Sequence, residues 1–422
     1  MDQYVIAGGK PLSGTVSVSG AKNSALPILA ATLLMEGESR IEGVPDLRDI
    51  QVMIALLREL GCAVERGQDG AITVAVTDPT PHVASYDIVK QMRASFCVLG
   101  PLLARRGRGT VSMPGGCNLG LRPVDLHIKG LRALGAKIHR SEGYVEATGR
   151  LTGDEMFLSG AFGSTVLGTA NVMMAATLAE GRTVIEGAAC EPEVADLARF
   201  LVACGARVEG IGTHRLVIDG VPRLAGTTWR VIPDRMEAGT LMAAAAVTGS
   251  DITIDGADPG HLGAVVEALR GLGAGVERLP AGVRVFGPPR CEPLDLTTLP
   301  YPGFPTDLQA PFTAILALAQ GISVVTEKIY PERFMHIAEL IRMGAQIRQQ
   351  GPSTVLQGVP HLSGAEVMAS DIRGGASLVV AALAARGETT IHRIYHVDRG
   401  YAKLEEKLSA LGAGIRRVPG TP

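Results

Sequence analysis

The sequence predicts an α/β chain built with helices inside and sheets around them, in two groups of three repeats. Three observations predict it. A phrase Leu-x-x-Leu-Gly-Ala, or a near variant, occurs six times at nearly constant spacing. Each copy also holds an Ala-rich helix with little polar face, and such a helix must be buried on most sides. The last copy stops short of its closing strands, while the first residues supply two strands that belong to no copy.

The phrase reads Leu57-Arg58-Glu59-Leu60-Gly61-Cys62 and then Leu131-Arg132-Ala133-Leu134-Gly135-Ala136. It continues as Leu201-Val202-Ala203-Cys204-Gly205-Ala206 and Leu269-Arg270-Gly271-Leu272-Gly273-Ala274. The last two are Leu340-Ile341-Arg342-Met343-Gly344-Ala345 and Leu408-Ser409-Ala410-Leu411-Gly412-Ala413. Its glycines fall 68 to 74 residues apart, the mark of internal duplication. In each copy an Ala-rich helix, such as the ones around Ala175–Ala179, Ala243–Ala246 or Ala381–Ala385, is followed by a strand. A second helix carries the Leu-x-x-Leu face and stops at the glycine, a good C-terminal cap. One or two strands then close the copy, as at Ala71–Val76. The unclaimed strands near Tyr4–Ile6 and Thr15–Val18 are expected to complete the C-terminal group. The domains are therefore expected to be 21–229, and 1–20 plus 230–422, with the chain crossing twice and a ligand cleft where it crosses.

Composition narrows the function. The core must be Ala, Val, Ile and Leu, since aromatic residues are only 4% of the 422. A net charge of −2 and no long basic run give no reason to expect nucleic acid or an anionic membrane as partner. The apolar runs are too short to span a bilayer. The start, MDQYVIAGGKPLSG, has no charged n-region or apolar h-region of a signal peptide. The cysteines at 62, 97, 117, 190, 204 and 291 form no C-x-x-C pair or zinc spacing, which suits reduced thiols in a cytoplasm. His392 and His396 fall in a strand-like stretch, Thr389–Val397, so no metal pair is expected from them.

Several stretches carry chemistry, each with a bland reading beside it. Cys117 stands in the Gly- and Pro-rich loop Pro114-Gly115-Gly116-Cys117, and is either a thiol that reaches a cleft or an ordinary small buried residue. Lys22, in Gly20-Ala21-Lys22-Asn23, starts a buried helix, where it binds an anion or is simply solvated. Arg93 either recognises a substrate or snorkels. Arg122 follows the cysteine loop and suits forked recognition of carboxylate or phosphate. Asp307 precedes a buried helix, as do Asp234 and Asp371, and is an N-cap or a working carboxylate. Arg333, Arg373 and Arg399 add cations to the C-terminal group. Gly8-Gly9-Lys10 is not a phosphate loop, and no G-x-S-x-G elbow occurs.

Taken together, Gly20–Asn23, Met92–Ser95, Pro114–Cys117, Arg122–His127, Pro305–Asp307, Arg333–His336 and Tyr395–Tyr401 resemble the enolpyruvyl transferases, in their UDP-N-acetylglucosamine 1-carboxyvinyltransferase branch. The likeness covers essentially the whole chain in register. It implies two inside-out α/β domains of three βαβαββ-type units each. It also implies transfer of the enolpyruvyl group of phosphoenolpyruvate to the 3′-hydroxyl of UDP-N-acetylglucosamine, the first committed step of peptidoglycan precursor synthesis, with no cofactor.

By the same resemblance, Cys117 is the acid that protonates the methylene carbon, and the thiol alkylated by fosfomycin. Asp307 takes the hydroxyl proton, and Asp371 helps to position the reacting groups. Lys22, Arg122 and Arg399 surround the donor's phosphate and carboxylate. Asn23, Arg93, Arg122, Pro123, Val124, Asp125, Leu126, Asp307 and Ile329 match nucleotide-sugar contacts, and residues 112–122 are expected to order on binding. Many relatives carry Ser-Val-Gly-Ala-Thr where this chain has Gly163–Thr169. Ser164, Thr165 and Val166 are therefore carried over as backbone contacts, without a lysine contact. The alternatives are the shikimate-pathway branch, which lacks the Pro-Gly-Gly-Cys loop, and a non-catalytic nucleotide-sugar-binding regulator.

Overall fold

The repeated phrase is a helix stop, and its chemistry is visible in each copy. Gly61, Gly135, Gly205, Gly273, Gly344 and Gly412 have φ between 82° and 104°, the left-handed region that a Cβ disfavours. Beyond the glycine, the Ala136, Ala206, Ala274, Ala345 and Ala413 N–H groups return to the carbonyls of Leu131, Leu201, Leu269, Leu340 and Leu408 at 2.9–3.1 Å. This is the six-to-one bond of a Schellman stop, and it satisfies a carbonyl the helix leaves open. Those leucines are buried, so one phrase both ends the helix and anchors it. A Gly205→Ala change, where open space surrounds the glycine, is expected to cost about 1–2 kcal/mol through backbone strain. Gly205→Asn should cost less, and chemical denaturation with unchanged turnover checks both.

The structure is a computed structural model and describes residues 2–113 and 124–420. Cys117, Arg122 and Pro123, named above, lie outside the described residues. The chain gathers into two compact units, one of residues 2–19 and 233–420 and one of residues 20–113 and 124–232. Each copy forms a four-stranded sheet of one kind. In the second copy, Val83–Ala84 runs parallel to Arg108–Ser112. Arg108–Ser112 is antiparallel to Tyr144–Thr148, which forms a hairpin with Lys137–Ser141. One helix of each copy is buried almost throughout, except in the second copy, where the end of Leu99–Arg106 reaches the surface. In Arg235–Val247 every residue from Arg235 to Ala246 is buried, and it packs with Thr306–Leu316 and Ile372–Ala384. Small residues permit this approach: a Cβ on Gly239 would sit 2.3 Å from the Leu308 side chain. The second helix, as in Arg48–Glu59 or Gly263–Gly271, keeps one apolar face and one wet one, while Pro192–Ala203 of the third copy is more deeply buried. Helices inside and sheets outside, as the pattern requires, follow from that division.

The N-terminal strands have separate destinations. Asp2–Ala7 enters the sixth sheet between Glu388–His392 and Gly414–Pro419, antiparallel to both. Ser13–Ser17 instead runs parallel to Asp251–Asp255 in the fourth sheet. The sixth copy therefore lacks one strand, not two, because Gly414–Pro419 is itself a strand. The stretch Thr389–Val397 also differs from expectation. Its strand ends at His392, Arg393 turns left-handed at φ 57°, and Ile394–Arg399 is a 3-10 turn.

Each unit ties down the chain where it leaves. In the C-terminal unit Ser19 N donates to Glu237 Oε2 at 2.8 Å, and Lys407 Nζ donates to Ser19 Oγ at 2.7 Å and pairs with Glu237. In the N-terminal unit the buried Asp196 accepts from Ser24 Oγ, from Trp229 Nε1 at 3.2 Å and from Ile232 N at 3.2 Å. Ala21 N donates to Ile232 O at 2.7 Å. The hydrogen-bonding capacity of Asp196 and Glu237 is met, although burial still pushes the pKa of both up against these donors.

Candidate active site

In the N-terminal unit the helix Lys22–Ala31 begins without a side-chain cap, so its first N–H groups keep capacity for an anion. Lys22 is buried there, and its Nζ lies 3.0 Å from Asp49 Oδ2 at the start of Arg48–Glu59. The lysine is thus neither simply solvated nor alone. A buried carboxylate offsets the cost of holding its charge out of water. Asn23, next along, is exposed.

Arg93 opens the 3-10 turn Arg93–Val98 and is half-buried. Asp125–Ala133 begins directly after the undescribed residues, with Val124 buried, Asp125 exposed and Leu126 half-buried. A Cβ on Gly160 would meet Leu126 Cδ1 at 3.4 Å, and Gly160 pairs with Gly163 in a two-stranded hairpin. Leu126 is therefore brought beside the turn that leads to Ser164, Thr165 and Val166. Thr165 caps Val166–Ala176, its Oγ1 accepting from Gly168 N at 3.2 Å.

His127 is buried beneath this region, its Nδ1 3.0 Å from Asn171 Nδ2. Burial and then the Arg93 charge lower its pKa to about 3, so it stays a neutral imidazole at physiological pH.

The C-terminal unit holds a denser constellation. Asp307 is not an N-cap. The helix Thr306–Leu316 starts one residue before it, with Pro305 as cap residue, and its carboxylate goes elsewhere. Arg333 Nη1 donates to Oδ1 at 2.8 Å, while Arg373 Nη2 and Nε donate to Oδ2 at 2.8 and 3.1 Å. Both arginines are buried, and the Asp307 side chain keeps 28% of its surface exposed. Burial alone would raise its pKa. The guanidiniums of Arg373 and Arg333 outweigh burial and hold it well below the usual carboxylate range.

Asp234 and Asp371 are the true caps. Asp234 Oδ1 accepts from Met236 N and Glu237 N, and Asp371 Oδ1 from Arg373 N and Gly374 N. The latter bond fixes the root of the arginine that reaches Asp307.

Around this core, Arg373 lies over the Tyr401 ring at 5.1 Å, and Tyr401 Oη is 2.9 Å from Thr240 Oγ1. His336 is buried with no hydrogen-bond partner for Nε2 among the described residues. Burial, against the opposing pull of Asp371, lowers its pKa. Arg399 ends the 3-10 turn that also carries His396, and the Asp371 and Arg399 charges both act on that imidazole. Pro27 and Pro311 occupy the same position of their helices. Neither can donate to the carbonyl four residues back, which belongs to Asn23 and to Asp307.

The structure therefore brings Asp307, Arg333 and Arg373 together, with Asp371 at the root of Arg373. It places Lys22, Arg93 and Leu126 in the other unit. Asp49, Glu327 and Tyr401 escaped the sequence reading as partners. Only Tyr401 had a local signal, in the Tyr395–Tyr401 run. No group of three metal-ligating side chains occurs among the described residues.

A family pattern described as EPSP synthase (3-phosphoshikimate 1-carboxyvinyltransferase) matches residues 6–408. The chain is 53% identical over 425 residues to UDP-N-acetylglucosamine 1-carboxyvinyltransferase of Anaeromyxobacter sp. (strain K), covering all of both chains. The chain belongs to the enolpyruvyl transferase family.

A Myxococcus xanthus (strain DK1622) member with the same name is 51% identical over 420 residues, with 99% of each chain covered. Among solved structures, the enolpyruvyl transferase NikO from Streptomyces tendae superposes with a TM-score of 0.89 at 25% identity, over 100% of this chain and 99% of that one. EPSP synthase from Acinetobacter baumannii, at TM-score 0.74 and 22% identity over 99% of this chain and all of that one, shares the fold. The enolpyruvyl transferase fold is thus the two inside-out α/β domains that the repeats predict.

Proposed function

We propose that this enolpyruvyl transferase moves the enolpyruvyl group of phosphoenolpyruvate to the 3′-hydroxyl of UDP-N-acetylglucosamine and releases phosphate, the first committed step of peptidoglycan precursor synthesis. The observation that carries this acceptor is the full-length identity above 50% to relatives bearing that name. The shikimate branch shares the fold at 22% identity. The retained Cys117, Asp307 and Lys22 argue against a non-catalytic regulator.

The chemistry asks for an acid and a base. Cys117 gives its proton to the methylene carbon, and a cationic centre develops at the adjacent carbon. The sugar hydroxyl oxygen adds there while Asp307 takes its proton. Arg373 and Arg333 keep Asp307 ionised through the neutral range, which frees it to accept. They also make it a weak base. That suffices, because the hydroxyl proton becomes strongly acidic as its oxygen bonds to the cationic carbon. The Cys117 thiolate then takes back a proton from the new methyl group as the carbon–oxygen bond to phosphate breaks, which restores the double bond and the thiol, and the proton held by Asp307 leaves with the phosphate.

Lys22, Arg122 and Arg399 hold the phosphate and carboxylate of the donor. Asn23, Arg93, Val124–Leu126, Ser164–Val166 and Ile329 orient the nucleotide sugar. The reaction needs no metal or redox cofactor. No helix among the described residues is long and apolar enough to cross a membrane, and we place the enzyme in the cytoplasm with its substrates. Phosphate release should follow mixing with phosphoenolpyruvate and UDP-N-acetylglucosamine. Release with shikimate 3-phosphate in place of the nucleotide sugar, and not with it, would move the chain to the other branch.

A further inference from the structure

Glu327 is completely buried, and its carboxylate reaches the Asp307 constellation through Thr306 without touching Asp307. Oε1 lies 2.7 Å from Thr298 Oγ1, 2.8 Å from Ile329 N and 2.9 Å from Tyr330 N. Oε2 lies 2.8 Å from Thr306 Oγ1. The neighbours fix the direction of every one of these bonds. Lys328 N donates to Thr298 Oγ1 at 2.9 Å, so that hydroxyl accepts there and its proton goes to Glu327. Arg333 Nη1 can only donate, and it donates to Thr306 Oγ1 at 3.0 Å. The Thr306 proton therefore also goes to Glu327.

Arg333 depends on that direction. The two hydrogens of its Nη1 are divided between Thr306 Oγ1 and Asp307 Oδ1. Its Nε is buried with no partner among the described residues. Nη1 is thus the atom that ties the guanidinium to both Thr306 and Asp307. Its face lies against the ring of Tyr330, 5.8 Å away, and the Tyr330 backbone is itself held by Glu327. An acceptor at Thr306 and a ring at Tyr330 both trace back to one carboxylate. If the Thr306 proton turned toward Arg333, donor would face donor, and Nη1 would have to leave Asp307 or lose its second bond.

We propose that Glu327 is a positioning residue for enolpyruvyl transfer: it sets the hydroxyl direction of Thr306, and through it the seat of Arg333 against Asp307, while its other oxygen holds the Ile329–Tyr330 turn. This rests on the role given to Asp307 above. Glu327 does not meet substrate. A glutamine in its place presents an amide N–H₂ that fits none of the four donors, and the nearest relief is for Thr306 to reorient.

The test is steady-state phosphate release from phosphoenolpyruvate and UDP-N-acetylglucosamine with Glu327→Gln, Thr306→Val, the double variant and Thr306→Ser. Glu327→Gln should lower kcat by about 10-fold or more while the KM for phosphoenolpyruvate stays within about threefold. Thr306→Val should lower kcat similarly, and Thr306→Ser should recover most of that loss. Because both act through one hydroxyl, the double variant should be within about threefold of the worse single one. Losses that multiply in the double variant, or a Glu327→Gln kcat within about twofold of wild type, would overturn the proposal. Should Glu327→Gln fail to fold by circular dichroism, the threonine pair decides: Thr306→Val at the wild-type rate overturns it. An inactive wild-type enzyme would instead sink the proposed function, a separate result.

Discussion

Asp307→Asn should abolish turnover, with kcat falling about 10³-fold or more, at the upper part of what loss of a positioned base costs. It should also change stability in a way no ordinary active-site substitution does. Arg333 and Arg373 are both buried, and the carboxylate is their shared anion. Removing one partner of a buried pair leaves charge uncompensated, at a cost of about 3–5 kcal/mol. The sign of the pH dependence follows from the carboxylate. Its folded pKa is depressed, by Arg373 and Arg333 against the effect of burial. The stability it contributes is therefore fully present above the unfolded carboxylate value of about 3.9. It is lost as pH falls from there toward the lower folded value. Wild type should lose stability over that acid range and Asp307→Asn should lose less. Phosphate release and denaturation midpoints from pH 7 downward measure both. An active Asp307→Asn enzyme would remove Asp307 from the role of base.

Cys117→Ser should be comparably severe, with turnover down about 10³-fold, since a hydroxyl is a far weaker acid than a thiol. It should also end alkylation by fosfomycin. The remaining thiols make this a clean measurement. Cys62, Cys97, Cys190, Cys204 and Cys291 are all buried. Burial pushes Cys62 up to about 11, and Cys97, Cys204 and Cys291 up to about 12. At neutral pH such thiols hold almost no thiolate, the species that attacks an epoxide. Mass spectrometry of intact native enzyme should therefore show one adduct on wild type and none on Cys117→Ser. An adduct that survives the substitution would place the reactive thiol at another cysteine.

The candidate site residues differ in how much of them could be read in advance. Lys22, Asp307, Arg333 and Arg373 stand in short motifs at helix starts or turns, so their positions along the chain were legible. Their bonding was not. Three aspartates precede three buried helices in similar words, yet Asp234 and Asp371 cap theirs while Asp307 is drawn to arginines 26 and 66 residues away. The difference is two residues in where the helix begins, one after Asp234 and Asp371 but one before Asp307. Asp49 answers Lys22 across 27 residues. Glu327 sits in an ordinary strand end, Val325-Thr326-Glu327, and nothing in its neighbours announces a buried carboxylate.

What the sequence determined alone is punctuation and patterning. The Leu-x-x-Leu-Gly-Ala phrase stops a helix because glycine tolerates the left-handed turn and the following N–H closes the last carbonyl. Both act within six residues. The Ala-rich runs had to be interior because they have no wet face. Only the tertiary structure decided which sheet each N-terminal strand joins, which aspartate caps and which pairs, and where Glu327 sends its bonds. Those outcomes depend on the register in which distant elements pack. A shift of one residue on a strand, or about 100° on a helix, exchanges one partner for another without altering any local pattern.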